Sequence, residues 1–298
     1  MSAQGVSQGM LTICPTPIGN LGDMTQRTLD ALCAADTVCA EDTRVTGRLL
    51  AAFGIEKRVE RLDEALIGAR AEGIVARVLA GERIAYCSDA GMPGVSDPGL
   101  RLVRAARAAG APVEVLPGPT AAATAYVASG CADARFYFGG FFPRKDAQRT
   151  AVLASLRTLD AALIFYESPN RLVAALAALE RELPDRTVAV CRELTKLHEE
   201  VLRGPAAEMR ALFAERERTA SIKGEIVLVV DGPSEEEAAA AVECAERSAC
   251  ARAAVLAEEG ARTKEIARVL VEEFDLPRNG AYEAALSAVE TVRAEDGR

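Results

Sequence analysis

A strand, an irregular loop and a helix follow one another in the first third of the chain, and this unit constrains the fold most. Arg83–Cys87 is apolar enough for a buried strand, and apolar residues recur at helical spacing from Leu100 onward. The loop Cys87–Gly99 contains three glycines and two prolines, which exclude regular structure and let a ligand approach the backbone. Asp97 is expected to cap the helix, with Pro98 as its first residue.

The length and position of this loop favour a ligand site over an ordinary connection. A strand-to-helix loop usually has about two to six residues, and this one is longer. Ligands of α/β proteins bind beyond the carboxyl ends of the strands, which is where this loop lies.

The order strand, loop, helix recurs along the first 118 residues. Apolar runs predict strands at 10–14, 38–41, 83–87 and 113–116, with helical patterns between them. This alternation predicts a parallel sheet with right-handed crossovers, and the fold class is therefore α/β.

The rest of the chain predicts a second α/β domain and a helical tail. Pro117–Pro119 is a rigid elbow that marks a boundary, and further strands are expected at 162–166, 188–191 and 226–230. An Ala-rich acidic helix and two shorter helices follow, and they resemble a helix-turn-helix, a packing appendage or a dimer clasp. The predicted division is a disordered tail at 1–9, α/β domains at 10–118 and 119–232, and a helical domain at 233–298.

Composition excludes several classes of function. The formal net charge of −9 argues against a protein that coats naked nucleic acid by charge alone. His198 is the only histidine, which removes histidine-based metal sites and Ser-His-Asp triads. The eight cysteines include no C-x-x-C pair and mostly occupy apolar runs, so we expect reduced, buried thiols in a cytoplasmic protein without metal. No apolar run has the length of a membrane span.

Several charged and aromatic residues lie where the predicted strands end. Arg27, Arg44 and Arg48 could meet an anionic substrate as a group, although each alone fits a solvated helix face. The segment Phe136–Pro143 with Arg144 and Lys145 fits either core packing or a base-stacking surface beside phosphate contacts, with Phe142 as its aromatic member. A second strand-to-helix site is expected where Arg171 follows Glu167, and Lys196 and Glu193 flank the end of a third strand.

Six segments, taken in order, resemble the tetrapyrrole methylase superfamily, and within it the members that methylate ribosomal RNA. They lie at 14–27, 40–44, 88–99, 116–121, 165–171 and 191–196. The resemblance covers residues 10 to about 232 and the helical domain. The chain departs from the expected pattern at Arg61–Glu64, where histidines are expected, and at Met92 and Gly94.

The resemblance implies two α/β domains with S-adenosylmethionine in the cleft between them, a homodimer, and 2′-O-methylation of a decoding-centre cytidine in 16S rRNA of the small ribosomal subunit. Lys196 is the first candidate for catalysis, as a base if burial lowers its pKa or otherwise as an electrostatic stabiliser, with Glu193 and Glu225 as alternatives. The implied cofactor-binding residues are Pro17, Asp89, Ala90, Gly91, Met92, Pro93, Ser96, Asp97, Thr120, Ala121, Phe165, Tyr166, Glu167, Gly224 and Glu225. The implied RNA-binding residues are Arg27, Arg44, Arg48, Phe142, Arg144, Lys145 and Arg171.

Two other functions fit the same scaffold. A C-methyltransferase acting on a tetrapyrrole would need arginines for a polycarboxylate but no RNA-binding tail, so the Gly140–Lys145 loop and the region after Asp231 favour RNA. A non-catalytic RNA-binding assembly factor would have a cofactor loop broken by bulky residues, whereas Asp89–Gly99 is intact. The acidic net charge further predicts that the substrate is a structured subunit rather than naked RNA.

Overall fold

The structure is a computed structural model that describes residues 9–274 and 276–296. The predicted disordered tail at 1–9 lies outside the described residues, apart from Gly9. The chain divides into two compact units. One ends at Gly232 and contains both sheets, and the other comprises Leu156–Asp160 and the chain from Pro233 onward. The predicted boundary at residue 118 separates the two sheets of the first unit.

The first sheet is parallel, as predicted, and it has five strands, one more than predicted. They are β1 (Met10–Ile13), β2 (Thr37–Ala40), β3 (Val59–Arg61), β4 (Arg83–Cys87) and β5 (Val113–Val115). Their order is β3-β2-β4-β1-β5, and every pair is parallel. All five carboxyl ends therefore share one edge of the sheet. Strand β3 was not predicted, because its three partly exposed residues form no apolar run.

Helices cover both faces of this sheet, and eight α-helices are described in the chain up to Gly232. They are α1 (Gln26–Ala34), α2 (Thr43–Ala52), α3 (Glu64–Leu79), α4 (Gly99–Ala108), α5 (Ala121–Ala128), α6 (Asp146–Leu156), α7 (Leu172–Glu182) and α8 (Ala206–Thr219). Along β4, Ile84 and Tyr86 pack under α3 and α4, whereas Ala85 and Cys87 pack under α1 and α2. This alternation buries both faces of the parallel sheet.

Helix α4 begins one residue later than predicted. Pro98 occupies the N-cap position and its helix starts at Gly99. Asp97 still provides the hydrogen-bond acceptor for the first amide of the helix, because its Oδ1 accepts from the amide of Gly99 at 2.8 Å. The same oxygen accepts from the amide of Gly94 at 2.7 Å. The carboxylate thus caps the helix and closes the preceding loop at the same time.

The second sheet is mixed. Its strands are β6 (Phe136–Phe141), β7 (Ala162–Glu167), β8 (Thr187–Arg192), β9 (Glu200–Pro205) and β10 (Ile226–Val230), in the order β6-β7-β10-β8-β9. Strand β10 runs antiparallel to both neighbours, and its first residue, Ile226, lies opposite Glu167 and Arg192. The ends of β7 and β8 and the start of β10 therefore meet at one edge.

The second unit contains three helices that pack on one another: α9 (Glu235–Glu258), α10 (Thr263–Phe274) and α11 (Arg278–Asp296). Ser234 and Glu237 form a capping box at the start of α9, with reciprocal side-chain-to-backbone bonds of 3.0 and 3.1 Å. Small residues such as Ala249 and Ala281 let the helices approach around Ile266 and Leu270. The nucleic-acid contact suggested for this region stays a prediction. No helix among residues 9–274 and 276–296 is long and apolar enough to cross a membrane.

All eight cysteines are free thiols. Those in or beside the strands are buried, as predicted: Cys14, Cys39, Cys87 and Cys191. Burial raises the pKa of Cys39 and of Cys191 to about 12, so both remain protonated and unreactive at neutral pH. The cysteines on the outer faces of helices are exposed, contrary to the prediction of buried thiols: Cys33, Cys244 and Cys250.

Candidate cofactor and acceptor site

A cavity of about 470 Å³ lies where the carboxyl ends of β2 and β4 face the edge formed by β7, β8 and β10. Its volume falls within the range of about 300–1,000 Å³ that is usual for small-molecule sites. Both sheets contribute walls, because loops that follow strands of each sheet open into the same space. This is the place where α/β sheets bind ligands.

The central loop of this cavity is held by the loop that follows β1. Thr16 and Gly91 exchange two backbone hydrogen bonds of 3.0 Å, and the Thr16 hydroxyl donates to the carbonyl of Ser88 at 3.3 Å. Gly91 has φ +78°, and a Cβ there would lie 3.2 Å from the side chain of Ile18. Only glycine therefore fits without strain, which explains why the loop needs glycine at this position.

Three carboxylates line the side of the cavity formed by the first sheet. They are Glu41, Asp89 and Asp97, and Asp89 also accepts a hydrogen bond of 2.9 Å from the amide of Asp42. Burial, together with the negative charges of Asp89 and Asp97, raises the pKa of Glu41. A wall of this kind favours a ligand that carries positive charge.

Lys196 lies between two glutamates beside the cavity. Its Nζ donates to Glu193 Oε1 at 2.7 Å and to Glu225 Oε2 at 3.0 Å. Burial alone would lower the pKa of Lys196, but the hydrogen bonds to the two glutamates outweigh it and raise the pKa. The bond from Lys196 lowers the pKa of Glu193 in turn. Lys196 is therefore a protonated ammonium at neutral pH, and the condition set for its use as a base, a pKa lowered by burial, is not met.

The backbone around Lys196 is unusually constrained. Glu193 (φ +53°) and Thr195 (φ +66°) are non-glycine residues in the left-handed region, a conformation that persists only where surrounding structure imposes it. Gly19 and Gly224 make room for these side chains, since a Cβ on them would lie 2.5 Å from Lys196 Cγ and from Glu193 Cγ, respectively. Loops from both sheets thus fix the ammonium in place.

A buried ion cluster lies behind the wall of the second sheet. Glu167 is 3% exposed and pairs with Arg171 and, at 3.5 Å, with Arg149 Nη2, and its Oε1 accepts from the amide of Ser168 at 2.7 Å. Burial raises the pKa of Glu167 more than these partners lower it. Arg149, itself 3% exposed, donates to the Pro143 carbonyl at 2.8 Å. The cluster ties the cavity wall to the loop that follows β6.

Most predicted cofactor residues line the cavity: Asp89, Ala90, Gly91, Met92, Ser96, Asp97, Thr120, Ala121, Tyr166, Glu167, Gly224 and Glu225. Pro17, Pro93 and Phe165 do not line it. Phe165 points to the opposite face of β7, where its ring lies 4.7 Å from that of Phe142. Phe165 and Tyr166 face opposite sides of β7, and Tyr166 is the one that lines the cavity.

The predicted RNA-binding arginines of the first sheet differ in whether they are already paired with a carboxylate. Arg27 pairs with Glu114 at 2.9 Å and Arg44 with Asp42 at 2.7 Å, while Arg48 lies exposed one turn further along α2. Arg144 and Lys145 are both exposed on the loop after β6.

Two residues of this group are placed differently from the prediction. Phe142 is 1% exposed and packs on Phe165, so it is a core residue and cannot stack on a base. Its neighbour Phe141 is 62% exposed and lines the cavity instead. Arg171 is engaged by Glu167 and by the Ser168 hydroxyl at 3.0 Å, so it supports the cavity wall.

Several residues that line the cavity are not among those predicted from the sequence. Glu41 follows β2 and Phe141 is the last residue of β6. Their positions at the carboxyl ends of strands could have identified both as cavity residues. Arg149 looks like an ordinary helix arginine, and nothing in its neighbourhood in the sequence marks it as buried. The other cavity residues that were not predicted are Ile18, Ser88, Val95, Ser168, Pro169, Cys191, Leu194, Ile226 and Val227.

A group of three possible metal ligands lies away from this cavity. Cys131, Asp133 and Asp231 place one ligand atom each within 4.8 Å of one another. Asp231 is paired with Arg203 at 2.5 Å, and Asp133 accepts from the amide of Gly232 at 2.9 Å. These bonds indicate that Asp133 and Asp231 link segments of the second sheet to one another.

The sequence matches the Tetrapyrrole (Corrin/Porphyrin) Methylases over residues 10–210. The chain is 40% identical to Ribosomal RNA small subunit methyltransferase I of Micromonospora olivasterospora over 97% of this chain and 90% of that protein. It is 45% identical to the protein of the same name from Escherichia coli O157:H7, over 78% of this chain and 80% of that protein. The protein of that name from Synechocystis is 39% identical, over 93% and 98%.

Solved structures share the fold at low sequence identity. Diphthine synthase superposes with a TM-score of 0.59 at 16% identity, covering 77% of this chain and 92% of that one. The methyltransferase CobJ superposes with a TM-score of 0.55 at 21% identity, covering 76% and 100%. The fold class predicted from the sequence is confirmed. The chain therefore belongs to the tetrapyrrole methylase family, whose methyltransferases take the methyl group from S-adenosylmethionine.

Proposed function

We propose that this protein methylates the 2′-hydroxyl of a cytidine ribose in the decoding centre of 16S rRNA, with S-adenosylmethionine as donor. The relatives at 39–45% identity are named as methyltransferases of small-subunit ribosomal RNA. Their similarity favours RNA over a tetrapyrrole substrate. One observation carries the chemistry: a protonated Lys196, fixed between Glu193 and Glu225, lies beside an intact cofactor cavity.

The cavity fits the methyl donor in charge and in size. S-adenosylmethionine supplies an electrophilic methyl group on a sulfonium cation. Glu41, Asp89 and Asp97 place negative charge on one wall, which suits a cationic ligand, and the glycine backbone at Gly91 leaves room for close approach. Tyr166 offers an aromatic ring on the opposite wall. An intact cavity of this kind speaks against a purely non-catalytic assembly factor.

The residues around Lys196 are suited to activate a hydroxyl acceptor. A ribose 2′-OH is a poor nucleophile, so its proton must be accepted or its developing negative charge stabilised. Lys196 keeps its proton and would stabilise that charge. Glu225 lines the cavity and its side chain is 74% exposed, so it is the carboxylate that can take the proton as the methyl group is accepted. Correct placement of acceptor and donor supplies the rest of the rate.

The substrate within this proposal is the small ribosomal subunit. Phe141, Arg144 and Lys145 are exposed beside the cavity and offer one ring and two charges to RNA. The homodimer and the cytoplasmic location are also part of the proposal and come from the resemblance and from the nature of the substrate. Equal methylation of a short naked RNA helix and of intact subunits would contradict the choice of substrate.

The experiment is transfer of labelled methyl from S-adenosylmethionine to small subunits that lack the modification. We expect label on 16S rRNA with the wild type and a loss of about 100-fold or more in kcat for Lys196→Met, with unchanged cofactor affinity by calorimetry. Lys223→Met is the matched control, because Lys223 is an exposed lysine close to Glu225 in the chain. Cofactor binding without label on RNA would move the assignment to a tetrapyrrole substrate. Full activity of Lys196→Met would remove Lys196 from the mechanism.

A further inference from the structure

A second concavity, of about 630 Å³, lies between the edge strand β3 and helix α3. We call it the arginine groove, defined by its lining residues Arg58, Glu60, Arg61, Arg70, Gly73 and Arg77. It does not share a lining residue with the cofactor cavity. Neither the proposed methyl transfer nor the packing of the sheet explains why charged residues line it.

The charge of the groove opposes that of the whole chain. Four of its lining side chains are arginines and one, Glu60, is a carboxylate, whereas the chain carries a net charge of −9. A concave surface with an excess of one sign of charge focuses its field and attracts the opposite charge. The groove therefore favours an anionic partner on an otherwise acidic protein.

The arginines of the groove differ in how far they are already paired. Arg77, on the floor, bonds Glu60 at 2.9 Å and Glu82 at 2.6 Å. Arg61 pairs with Asp63 at 2.5 Å. Within the described part of the chain, Arg58 and Arg70 make no ion pair, and the guanidinium of Arg70 donates only to the Arg61 carbonyl at 3.3 Å.

The lining favours phosphate over other anionic groups. Guanidinium forks bind phosphate oxygens bidentately. Two exposed and unpaired guanidiniums, Arg58 and Arg70, can each take one phosphate of a chain. The lining includes no aromatic ring on which a base could stack. The groove is therefore suited to a phosphodiester backbone, which carries no sequence information, rather than to bases.

The groove also lies next to the strand that leads to the cofactor cavity. Strand β3 pairs with β2 in parallel, about 4.8 Å away, and Arg61 lies opposite Ala40. The residue after Ala40 is Glu41, which lines the cavity. A nucleic acid strand held in the groove would thus reach the sheet edge where the methyl group is transferred.

We infer that the arginine groove binds the sugar-phosphate backbone of the RNA substrate and docks it beside the cofactor cavity. The inference rests on the proposed function and adds a binding surface that the predicted RNA-binding residues do not include. Arg58 and Arg70 are the contacts, and Arg77 with Glu60 holds the floor of the groove.

The test is the double variant Arg58→Gln/Arg70→Gln. Its matched control is Arg210→Gln/Arg218→Gln, which removes the same charge from exposed positions on α8. Binding to small subunits and to protein-free 16S rRNA is measured by filter binding over a series of KCl concentrations. We expect the slope of log K against log salt to fall by about 2 for the groove variant, about 1 per phosphate contact, and not for the control. The KM for subunits should rise at least about ten-fold, with kcat and cofactor affinity unchanged.

Several outcomes would overturn the inference. An unchanged slope and KM would do so, as would failure of the wild type to bind protein-free 16S rRNA at low salt. Weaker binding to subunits with unchanged binding to protein-free RNA would assign the groove to a ribosomal protein instead. Binding is measured without methyl transfer, so failure of the proposed reaction is detected separately.

Discussion

Replacing Arg149 by Met tests how much the buried ion cluster behind the cofactor cavity contributes to stability. The side chain of Glu167 is fully buried and that of Arg149 nearly so, and the variant puts an uncharged side chain of similar volume in place of the arginine. Arg171 remains as the second partner of Glu167, with 24% of its side chain exposed. The change therefore leaves a buried carboxylate with one counter-ion instead of two.

The size of the effect follows from the burial of the pair. Removing one partner of a buried ion pair costs about 3–5 kcal/mol. Because Arg171 still pairs with Glu167, we expect a loss at the lower end of this range, about 3 kcal/mol. About 1.5 kcal/mol of that loss comes from the hydrogen bond between Arg149 and the Pro143 carbonyl. The rest arises from the charge on Glu167, so Glu167→Gln in the same chain should recover it.

The charge on Glu167 also gives the loss a pH dependence of known sign. Burial raises the pKa of Glu167 above its ordinary value of 4.5, so the folded state binds its proton more tightly than the unfolded state. The stability that this group contributes is present below about pH 4.5 and is lost as pH rises through the folded pKa. Arg149→Met removes a cause that lowers this pKa. The variant should therefore lose about 1.5 kcal/mol near pH 4, where only the hydrogen bond to the Pro143 carbonyl is missing. The loss should rise to about 3 kcal/mol as the pH increases to 7 and Glu167 becomes charged.

The assay is urea unfolding of wild type, both single variants and the double variant at several pH values between 4 and 7. A destabilisation below about 1 kcal/mol at pH 7 would refute the reasoning, because a removed buried partner costs more. Equal losses at pH 4 and pH 7, or no recovery in the double variant, would show that the loss is due to packing and not to the charge of Glu167.

Three further predictions concern the loop, the strand and the helical unit. Gly91→Ala should cost about 1–2 kcal/mol of backbone strain and weaken cofactor binding by calorimetry, whereas Gly110→Ala, with φ +69° and no atom within 4 Å, should show the strain alone. Phe142→Ala should lower the free energy of unfolding by about 3–5 kcal/mol, because Phe142 is buried. Phe141→Ala should leave the free energy of unfolding nearly unchanged and raise the KM for small ribosomal subunits, because Phe141 is exposed. Ser234→Ala should lower the stability of the helical unit by about 1 kcal/mol in thermal unfolding. Equal loss of cofactor binding in the two glycine variants, or equal loss of stability in the two phenylalanine variants, would contradict these assignments. An unchanged melting curve for Ser234→Ala would contradict the role given to the capping box.

The central site could be predicted because its signals are local in the sequence. Glycines and prolines after an apolar run marked the Asp89–Gly99 loop without any knowledge of what it contacts. The pairing of Lys196 with Glu193 was within reach because the two residues lie three positions apart. Its bond to Glu225 depends on β10 joining β8, which links residues far apart in the chain.

The errors arise where tertiary structure decides which way a side chain points. The register of β6 against β7 shifts between Phe138 and Phe141, with Gly140 at φ +68°, and this irregularity turns Phe142 into the core. A Gly-Gly-Phe-Phe sequence does not reveal that shift. The pKa of Lys196 was equally out of reach, because it depends on competition between burial and two hydrogen bonds.

The most direct test of the account is the identity of the methylated nucleoside in 16S rRNA from small subunits treated with the wild-type enzyme. Complete digestion followed by mass spectrometry distinguishes a methyl group on the ribose from one on the base. The account predicts 2′-O-methylcytidine from the decoding centre, formed by the wild type and nearly absent with Lys196→Met. Methyl groups on a base, or no methylated nucleoside despite tight cofactor binding, would contradict it.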